Sequence, residues 1–311
     1  MRKKLLIINF IVLTLLAGCS FNGGSAGKSY KFGATYMTMN NPYFRDMNGV
    51  IEEMVEANGD VLIYRDPAQD QDKQNEEIED MIAEGVSGIF LNPVDQEKVL
   101  PALKKCKEAG IPVFVVDTLV KDEDYVTFSI LSDNYDAGVQ CANELIAENR
   151  PVKVVVIDAP GINSMEDRAA GFMDTVKDCD NIEIVDVRHG TGVFEVAMDL
   201  MENAVDEGVD FDVIFGANDP TALGALAALQ KNQIEEGILI YGIDGSPDGK
   251  VMIKEGYMVG SSAQYPLEIA EQAVEMAYDY LNGKEVEKQV IVPVTMITSD
   301  NVDDFDLYGW Q

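Results

Sequence analysis

The chain has 311 residues, of which 55 are Asp or Glu and only 23 are Lys or Arg, so its formal net charge is −32. A chain of this charge repels phosphate backbones, which excludes nucleic acid as a favoured partner. Its length is sufficient to bury a large core and allows two domains.

The first segment has the pattern of a secretory signal. A few basic residues are followed by an apolar run that is shorter than the ~20 residues needed to span a bilayer. The run ends in LAGC, which resembles a bacterial lipobox, where the cysteine is lipidated and becomes the new first residue. We predict a lipoprotein signal peptide over residues 1–18, a flexible tether over residues 19–29, and an extracytoplasmic protein anchored to the membrane through Cys19. The alternative is an ordinary signal peptide with an incidental cysteine.

Short apolar, β-branched runs then alternate with amphipathic segments. In the first half, strands are predicted at residues 30–37, 61–66, 88–93, 111–117 and 125–131. Between the first two, Phe44, Met47, Ile51 and Val55 recur on one face with the 3.6-residue period of a helix. The first half is therefore predicted to alternate strand and helix.

The second half repeats this alternation, with strands predicted at residues 152–158, 182–187, 211–219, 237–244 and 257–264. A long helix at about 266–282 and one strand at 288–297 follow. Such spacing predicts parallel sheets covered on both faces. The repetition indicates two similar lobes, at about 30–131 and 133–261. Because neither is complete without the last helix and strand, we expect the chain to cross between lobes more than once.

Three cysteines fall in the part of the chain that is predicted to fold, Cys106, Cys141 and Cys179. Their number is odd, and neither a CxxC pair nor a His-Cys spacing typical of zinc occurs. We interpret all three as buried structural thiols and expect no metal.

Polar residues collect where the predicted strands end. Ligands of open parallel sheets bind beyond these carboxyl ends. The residues there are Asn40, Asn41, Asn92, Asp117, Asp133, Asn134, Asn163, Asp167, Arg168, Asn218, Asp219, Asp244 and Gln264. Carboxylates and amides with one cation suit a neutral ligand covered in hydroxyl groups. The alternative for any single Asn or Asp is a helix cap or turn, and we favour it for Asp133 and Asp219, which we leave out of the site.

Two adjacent rings, Tyr43 and Phe44, follow the polar corner formed by Asn40, Asn41 and Pro42. Phe44 fits the core face of the predicted helix, but two adjacent rings are not expected to face inward together. A ring at the mouth of a cleft can stack on the apolar face of a sugar. We therefore predict that the amides of this corner hydrogen-bond the hydroxyl groups of a sugar and that a ring stacks on its flat apolar side.

The ordered motifs resemble the type I periplasmic sugar-binding proteins of ABC transporters, the group that contains the ribose- and galactose/glucose-binding proteins. The similar segments occur in the family's order over about residues 30–301: MTMNNPYF, DPAQDQDKQNEEIEDMIAEGVSGIFLNP, SDNYDAG, DRAAGF, FGANDPTALGALAALQ, YGIDGSPDG and SSAQYP. The resemblance implies an α/β fold with two Rossmann-like lobes, parallel sheets and a hinge of three crossings, near residues 132, 264 and 293. It divides the chain into lobes of 30–131 plus 265–292 and 133–263 plus 293–311.

The resemblance also implies which residues contact the ligand: Asn41, Tyr43, Phe44, Asp117, Arg168, Asn218, Asp244 and Gln264. Thr118 stands where ribose binders carry arginine, so a bidentate donor is absent there. Phe194 stands near the position of the family's aromatic residue in the second lobe. The calcium loop of the galactose branch is replaced by ENRPVKVVV, so no metal is expected. The alternative for Arg168 is a surface ion pair with Glu166 or Asp167.

The predicted function is capture of a small sugar or polyol by lobe closure and delivery to an ABC permease, by a monomer without a cofactor. There are three alternatives to this function. A glycosidase would use Asp117 and Asp244 as its carboxylate pair, and a sugar-responsive repressor would need a basic helix-turn-helix before the core. A sensor would present the closed form to a membrane receptor, which the genetic neighbourhood would distinguish from transport.

Overall fold

The computed structural model describes residues 29–311, so the predicted signal peptide and Cys19 lie outside the described residues. The strands are β1 (Lys31–Thr35), β2 (Val61–Arg65), β3 (Gly88–Leu91), β4 (Val113–Asp117), β5 (Phe128–Ser132), β6 (Val152–Asp158), β7 (Ile182–His189), β8 (Val213–Gly216), β9 (Leu239–Asp244), β10 (Gly260–Ala263), β11 (Gln289–Val292) and β12 (Thr295–Thr298). The helices are α1 (Pro42–Ala57), α2 (Gln71–Ala83), α3 (Leu100–Ala109), α4 (Asn134–Ala147), α5 (Asn163–Val176), α6 (Phe194–Asp206), α7 (Asp219–Asn232), α8 (Pro247–Lys254) and α9 (Pro266–Leu281).

Helix α1 shows how the polar corner of the sequence folds. Oδ1 of Asn41 accepts a hydrogen bond from the backbone N–H of Tyr43, and Pro42 occupies the first helical turn, where no donor is needed. Such a cap satisfies an otherwise unpaired N–H and contributes roughly 1 kcal/mol. Asn218 caps α7 in the same way through the N–H of Thr221. Both amides therefore have a structural role in addition to any role toward a ligand.

The strands form two six-stranded sheets. The first has the order β11-β5-β4-β3-β1-β2 and is parallel throughout. The second has the order β12-β10-β9-β8-β6-β7 and is parallel except for the pair of β10 with β12. Helices α1, α2, α3 and α9 pack with the first sheet, and α4 to α8 with the second. We call these two units the first and second lobe. The predicted fold class is confirmed.

The chain passes between the lobes three times, after β5, after β10 and after β11. The last passage corrects the prediction of one continuous strand at residues 288–297. In the structure β11 pairs with β5 in the first sheet, whereas β12 pairs with β10 in the second. Pro293 lies between the two strands, and because proline has no N–H to donate to a ladder, it marks the point where the chain leaves one sheet for the other.

A row of aromatic rings supports the first sheet beneath its site-bearing end. Phe32, Phe90, Phe114 and Phe128 are fully buried, and neighbouring ring centroids in the row are 4.8 to 5.6 Å apart. Burying an aromatic side chain of this size contributes roughly 1.5–3 kcal/mol. Because the row ties β1, β3, β4 and β5 together, the carboxyl ends of these strands are held in fixed relative positions.

Two of the three cysteines behave as predicted. Cys106 and Cys141 are buried, and burial raises the pKa of the Cys106 thiol to about 12. Cys179 is only partly buried, so the prediction of a buried thiol is wrong there. It lies in the turn between α5 and β7, and its neighbours Asp178 and Asp180 are exposed.

Candidate ligand-binding site

A cavity of about 670 Å³ lies between the two lobes, at the carboxyl ends of their strands. Its volume falls within the ~300–1,000 Å³ of natural small-molecule sites. The structure places nine of the ten predicted ligand residues on its walls, and their contact with a ligand remains a prediction. These are Asn41, Tyr43, Phe44, Asp117, Arg168, Phe194, Asn218, Asp244 and Gln264.

Asp117 brings a carboxyl group to the cavity from the end of β4. Its φ of +71° is left-handed, which is strained for a residue with a Cβ. Nδ2 of Asn92 donates to Asp117 Oδ2 at 2.9 Å, and Oδ1 of Asn92 accepts from the N–H of Met37 at 3.0 Å. Burial raises the pKa of Asp117, and the charge of Arg168 opposes this rise. A strained backbone with an anchored carboxyl group is typical of a functional site.

Arg168 brings a guanidinium group to the cavity from α5 and is 3% exposed. Its Nε donates to Oδ1 of Asn134 at 2.8 Å, and its Nη1 donates to the carbonyl of Ala217 at 3.1 Å. Nη1 also lies 3.5 Å from Oδ1 of Asp244. These partners fix the plane of the guanidinium group. The alternative of a surface ion pair with a neighbouring carboxylate is therefore wrong.

Asp244 joins the two lobes through a chain of side chains. It ends β9, is 4% exposed, and accepts a hydrogen bond at Oδ1 from Nε2 of Gln264 at 2.7 Å. Oε1 of Gln264 in turn accepts from the hydroxyl of Tyr43 in the first lobe at 3.3 Å. Burial raises the pKa of Asp244 to about 8; the charge of Arg168 opposes this and that of Asp219 adds to it. Gln264, Arg168 and the backbone N–H of Asp219 all donate toward Asp244, so its carboxyl group is arranged as an acceptor.

Both rings of the polar corner are buried, at 2% exposure for Tyr43 and 3% for Phe44. The expectation that two adjacent rings would not both face inward is wrong. Tyr43 meets Phe44 edge to face at 5.2 Å between centroids, and Phe44 stacks on Tyr36 at 5.8 Å. A perpendicular arrangement lets neighbouring side chains share one pocket. Both rings also line the cavity. They form part of its buried wall and do not stand at its mouth, where a ring was expected.

The remaining amide and ring of the second lobe lie on one wall. Nδ2 of Asn218 donates to the carbonyl of Gly192 at 3.0 Å, while its Oδ1 caps α7. Gly192 has φ +75°, and a Cβ there would lie 2.9 Å from Sδ of Met165. Glycine is therefore required at this turn. Phe194, the first residue of α6, is 36% exposed and lines the cavity, so its ring is accessible to a ligand.

Thr118 is the one predicted ligand residue that the structure places outside the cavity wall. It is 1% exposed, and its Oγ1 accepts a hydrogen bond from the backbone N–H of Ser164 at 2.9 Å. Thr118 belongs to the first lobe, and Ser164 is the second residue of α5 in the second lobe. The left-handed turn at Asp117 directs the following residue toward α5 instead of the cavity. Thr118 therefore joins the lobes directly.

The two aspartates left out of the predicted site do not line the cavity. Asp133 caps α4 through the N–H of Asp136. Asp219 is fully buried and accepts hydrogen bonds from the N–H and hydroxyl of Ser246 and from the hydroxyl of Ser261. Asp219 thus ties three segments of the second lobe together, and burial raises its pKa.

The predicted site contained no aliphatic residue, although part of the wall is aliphatic. These wall residues include Met37, Ile162, Met165, Pro220 and Leu223. Met37 and Ile162 lie near predicted strand ends and the others lie in helices, but an apolar residue at such a place carries no signal that distinguishes a cavity wall from the core. Of the other strand-end residues, Asn40 lines the cavity, whereas Asn163 and Asp167 do not. Within residues 29–311 no group of three or more His, Cys, Asp or Glu side chains is arranged to hold a metal ion.

Comparison with known proteins decides the family. Residues 32–285 match the periplasmic binding protein domain. The chain belongs to the periplasmic binding protein family. It is similar to the ribose import binding protein RbsB of Bacillus subtilis, with 29% identity over 96% of this chain and 99% of that protein. It is also similar to the xylitol-binding protein of Mycolicibacterium smegmatis, with 26% identity over 93% of this chain and 83% of that protein.

Solved structures agree with this assignment. An ABC transporter solute-binding protein of Agrobacterium vitis with bound D-fucose has a TM-score of 0.82 and 25% identity, covering 88% of this chain and 97% of that one. The resemblance drawn from the ordered motifs is therefore confirmed. As a periplasmic binding protein, the chain is a solute-binding component outside the cytoplasm and not an enzyme.

Proposed function

We propose that this periplasmic binding protein captures a small sugar or polyol between its lobes and delivers it to an ABC importer. The observation that carries the proposal is the convergence of buried Asp117, Arg168 and Asp244 on one cavity from both lobes. Carboxylates accept from hydroxyl groups and a guanidinium group donates to hydroxyl or ring oxygens, in charge-assisted bonds. Tyr43 and Phe194 add aromatic surface for the apolar face of the ligand.

The relatives support both the ligand class and the transport role. Their names and bound ligands include ribose, xylitol and D-fucose, and one is described as an import protein. We therefore favour transport over the sensor alternative. Ribose itself is less favoured, because Thr118 replaces the second arginine of the ribose binders and faces Ser164. We further propose that the protein acts as a monomer without a cofactor.

A thermal-shift screen tests the proposal. D-ribose, D-fucose, D-galactose, xylitol and myo-inositol would each be added to the purified protein, with an amino acid panel as the comparison class. A ligand present at 100 times its dissociation constant stabilises the folded state by about 2.7 kcal/mol. At least one sugar or polyol is expected to raise the unfolding temperature. Stabilisation by amino acids alone would contradict the proposed ligand class.

Closure about the hinge should compact the protein when ligand binds. We propose that residues 30–131 plus 265–292 move against 133–263 plus 293–311, because the cavity residues are divided between these units. Beside the cavity, Gln96 of the first lobe already contacts Glu166 of the second at 2.8 Å. Small-angle scattering should show a smaller radius of gyration with saturating ligand than without it. An unchanged curve at calorimetrically confirmed saturation would exclude a clamp that closes on its ligand.

Membrane attachment is proposed to depend on Cys19. No helix within residues 29–311 is long and apolar enough to cross a bilayer. Cys19→Ala should move the protein from the membrane fraction to the soluble fraction or leave an uncleaved precursor, and Cys179→Ala, which changes a partly buried thiol, is the matched control. Equal incorporation of labelled fatty acid into the Cys19→Ala protein would contradict the lipobox.

A further inference from the structure

Residues 306–311, which we call the strap, contact both lobes beside the cavity. The strap follows β12 of the second lobe and a short 3₁₀ turn, Val302–Asp304. It contains Trp310, the single tryptophan of the sequence. None of its residues lines the cavity, and it lies outside the helices and strands of the fold.

The strap reaches the first lobe through Trp310. The Nε1–H of Trp310 donates to Oδ2 of Asp46 in α1 at 2.7 Å. Its ring meets that of Tyr43 edge to face, with 5.3 Å between centroids and 87° between planes. Tyr43 is the residue whose other side lines the cavity and whose hydroxyl donates to Gln264. Trp310 therefore packs against a cavity residue of the opposite lobe without lining the cavity itself.

The strap is fastened to the second lobe through Gln311. Its Nε2 donates to the backbone carbonyl of Asp244 at 3.1 Å and also to that of Gln264. Its Oε1 accepts from Nζ of Lys250 at 3.0 Å, and the same ammonium group donates to the carbonyl of Gly309 at 2.8 Å. Lys250 is fully buried. A buried ammonium group needs such partners, so the strap and α8 depend on each other.

The two attachments complete a ring of contacts. Trp310 touches Tyr43, Tyr43 bonds Gln264, Gln264 bonds Asp244, and the backbones of the last two are held by Gln311. Separation of α1 from the second lobe would have to break the bond to Asp46 and the ring contact with Tyr43. The strap is therefore placed to favour the arrangement in which the lobes touch.

We propose that the strap stabilises the closed arrangement of the lobes, with Trp310 as a positioning residue that holds Tyr43 against Gln264. The consequence for ligands rests on the proposed function: the strap slows release of the bound sugar or polyol without contacting it. Removing it should raise the dissociation rate constant and should not lower the association rate constant, because ligand enters when the lobes are apart and loss of the strap increases the open population.

A measurement on the ligand-free protein tests the strap independently of the ligand class. Spin labels on cysteines introduced at Glu76 and Asp199, exposed residues of the first and second lobe, report the distance between the lobes in a Cys179→Ala background, which removes the partly exposed native thiol. Trp310→Ala should shift the distance distribution to longer values, and Trp310→Phe should retain most of the short-distance population. Tyr308→Ala is the matched control, because this strap ring is 83% exposed. Identical distributions for Trp310→Ala and wild type would overturn the proposal.

The kinetic arm uses whichever of D-ribose, D-fucose, D-galactose, xylitol and myo-inositol gives the largest thermal shift. Loss of the aromatic pair and its hydrogen bond should accelerate dissociation by roughly tenfold in Trp310→Ala. An unchanged dissociation rate would contradict the proposal. If Trp310→Ala is unfolded by circular dichroism, Asp46→Ala, which removes the acceptor of the Trp310 hydrogen bond, tests the same link from an exposed position. A shift in lobe distance without binding of any compound would retain the strap and reject the proposed function.

Discussion

Replacing Arg168 with alanine is expected to weaken binding of the sugar or polyol by at least about tenfold. Hydrogen bonds to charged groups contribute roughly 1.5–3 kcal/mol, and 1.4 kcal/mol corresponds to one decade in the dissociation constant. Arg168 is held in place by Asn134 and Ala217, so its guanidinium group needs no reordering when ligand binds. Its removal also leaves buried Asp244 without its cation.

The measurement is calorimetric titration of the folded variant. Arg168→Lys retains the charge but lacks the planar fork, so it should recover only part of the affinity. Arg188→Ala is the matched control: Arg188 pairs with Asp186 and Glu207 and does not line the cavity. Wild-type affinity in Arg168→Ala would remove this residue from the site and weaken the assignment of the other ligand residues.

Replacing Asp244 with asparagine is expected to flatten part of the pH dependence of stability. Burial raises the pKa of Asp244 in the folded protein to about 8, whereas in the unfolded chain the group has the ordinary value of 3.8. Between these values the folded state binds more protons, so the free energy of unfolding falls as pH rises. The slope from one group is at most ~1.4 kcal/mol per pH unit.

Urea unfolding of both proteins at pH 5, 6, 7 and 8 checks this expectation. The free energy of unfolding of Asp244→Asn should increase relative to that of wild type as pH rises. Asp248→Asn removes one charge from an exposed residue of the cavity wall and controls for net charge. Parallel pH profiles for wild type and Asp244→Asn would show that Asp244 ionises at its ordinary pH in the folded protein. The fall in the free energy of unfolding with rising pH would then not be caused by Asp244.

The polar residues that follow the strands were predicted well, because a parallel sheet places the carboxyl ends of all its strands at the same edge. Asp117 and Asp244 were both expected there, and both line the cavity. Thr118 shows the limit of this reasoning. Whether the residue after a strand faces a cavity depends on a backbone torsion angle at the strand end. The left-handed φ of Asp117 could not be predicted from the residues around it in the sequence.

Contacts between distant segments were beyond prediction for a similar reason. Asn134 was expected at a strand end, but its bond to Arg168 depends on how α4 packs against α5. The packing of Trp310 on Tyr43 joins residues that lie almost at opposite ends of the folded chain. Hydrophobic period and turn chemistry describe short windows, so neither contained a signal for these pairs.

The passage of the chain between the sheets also constrains how the protein is made. In the first sheet β5, which ends at Ser132, pairs with β11, which begins only at Gln289. Helix α9, which precedes β11 in the chain, packs on the same sheet. During synthesis the first lobe therefore lacks an edge strand and a covering helix until almost the whole chain has emerged. Pairings of such long sequence separation form slowly. The first lobe can therefore complete its fold only after the second lobe has been synthesised, whereas a lobe built from continuous sequence could fold as soon as its own residues had emerged.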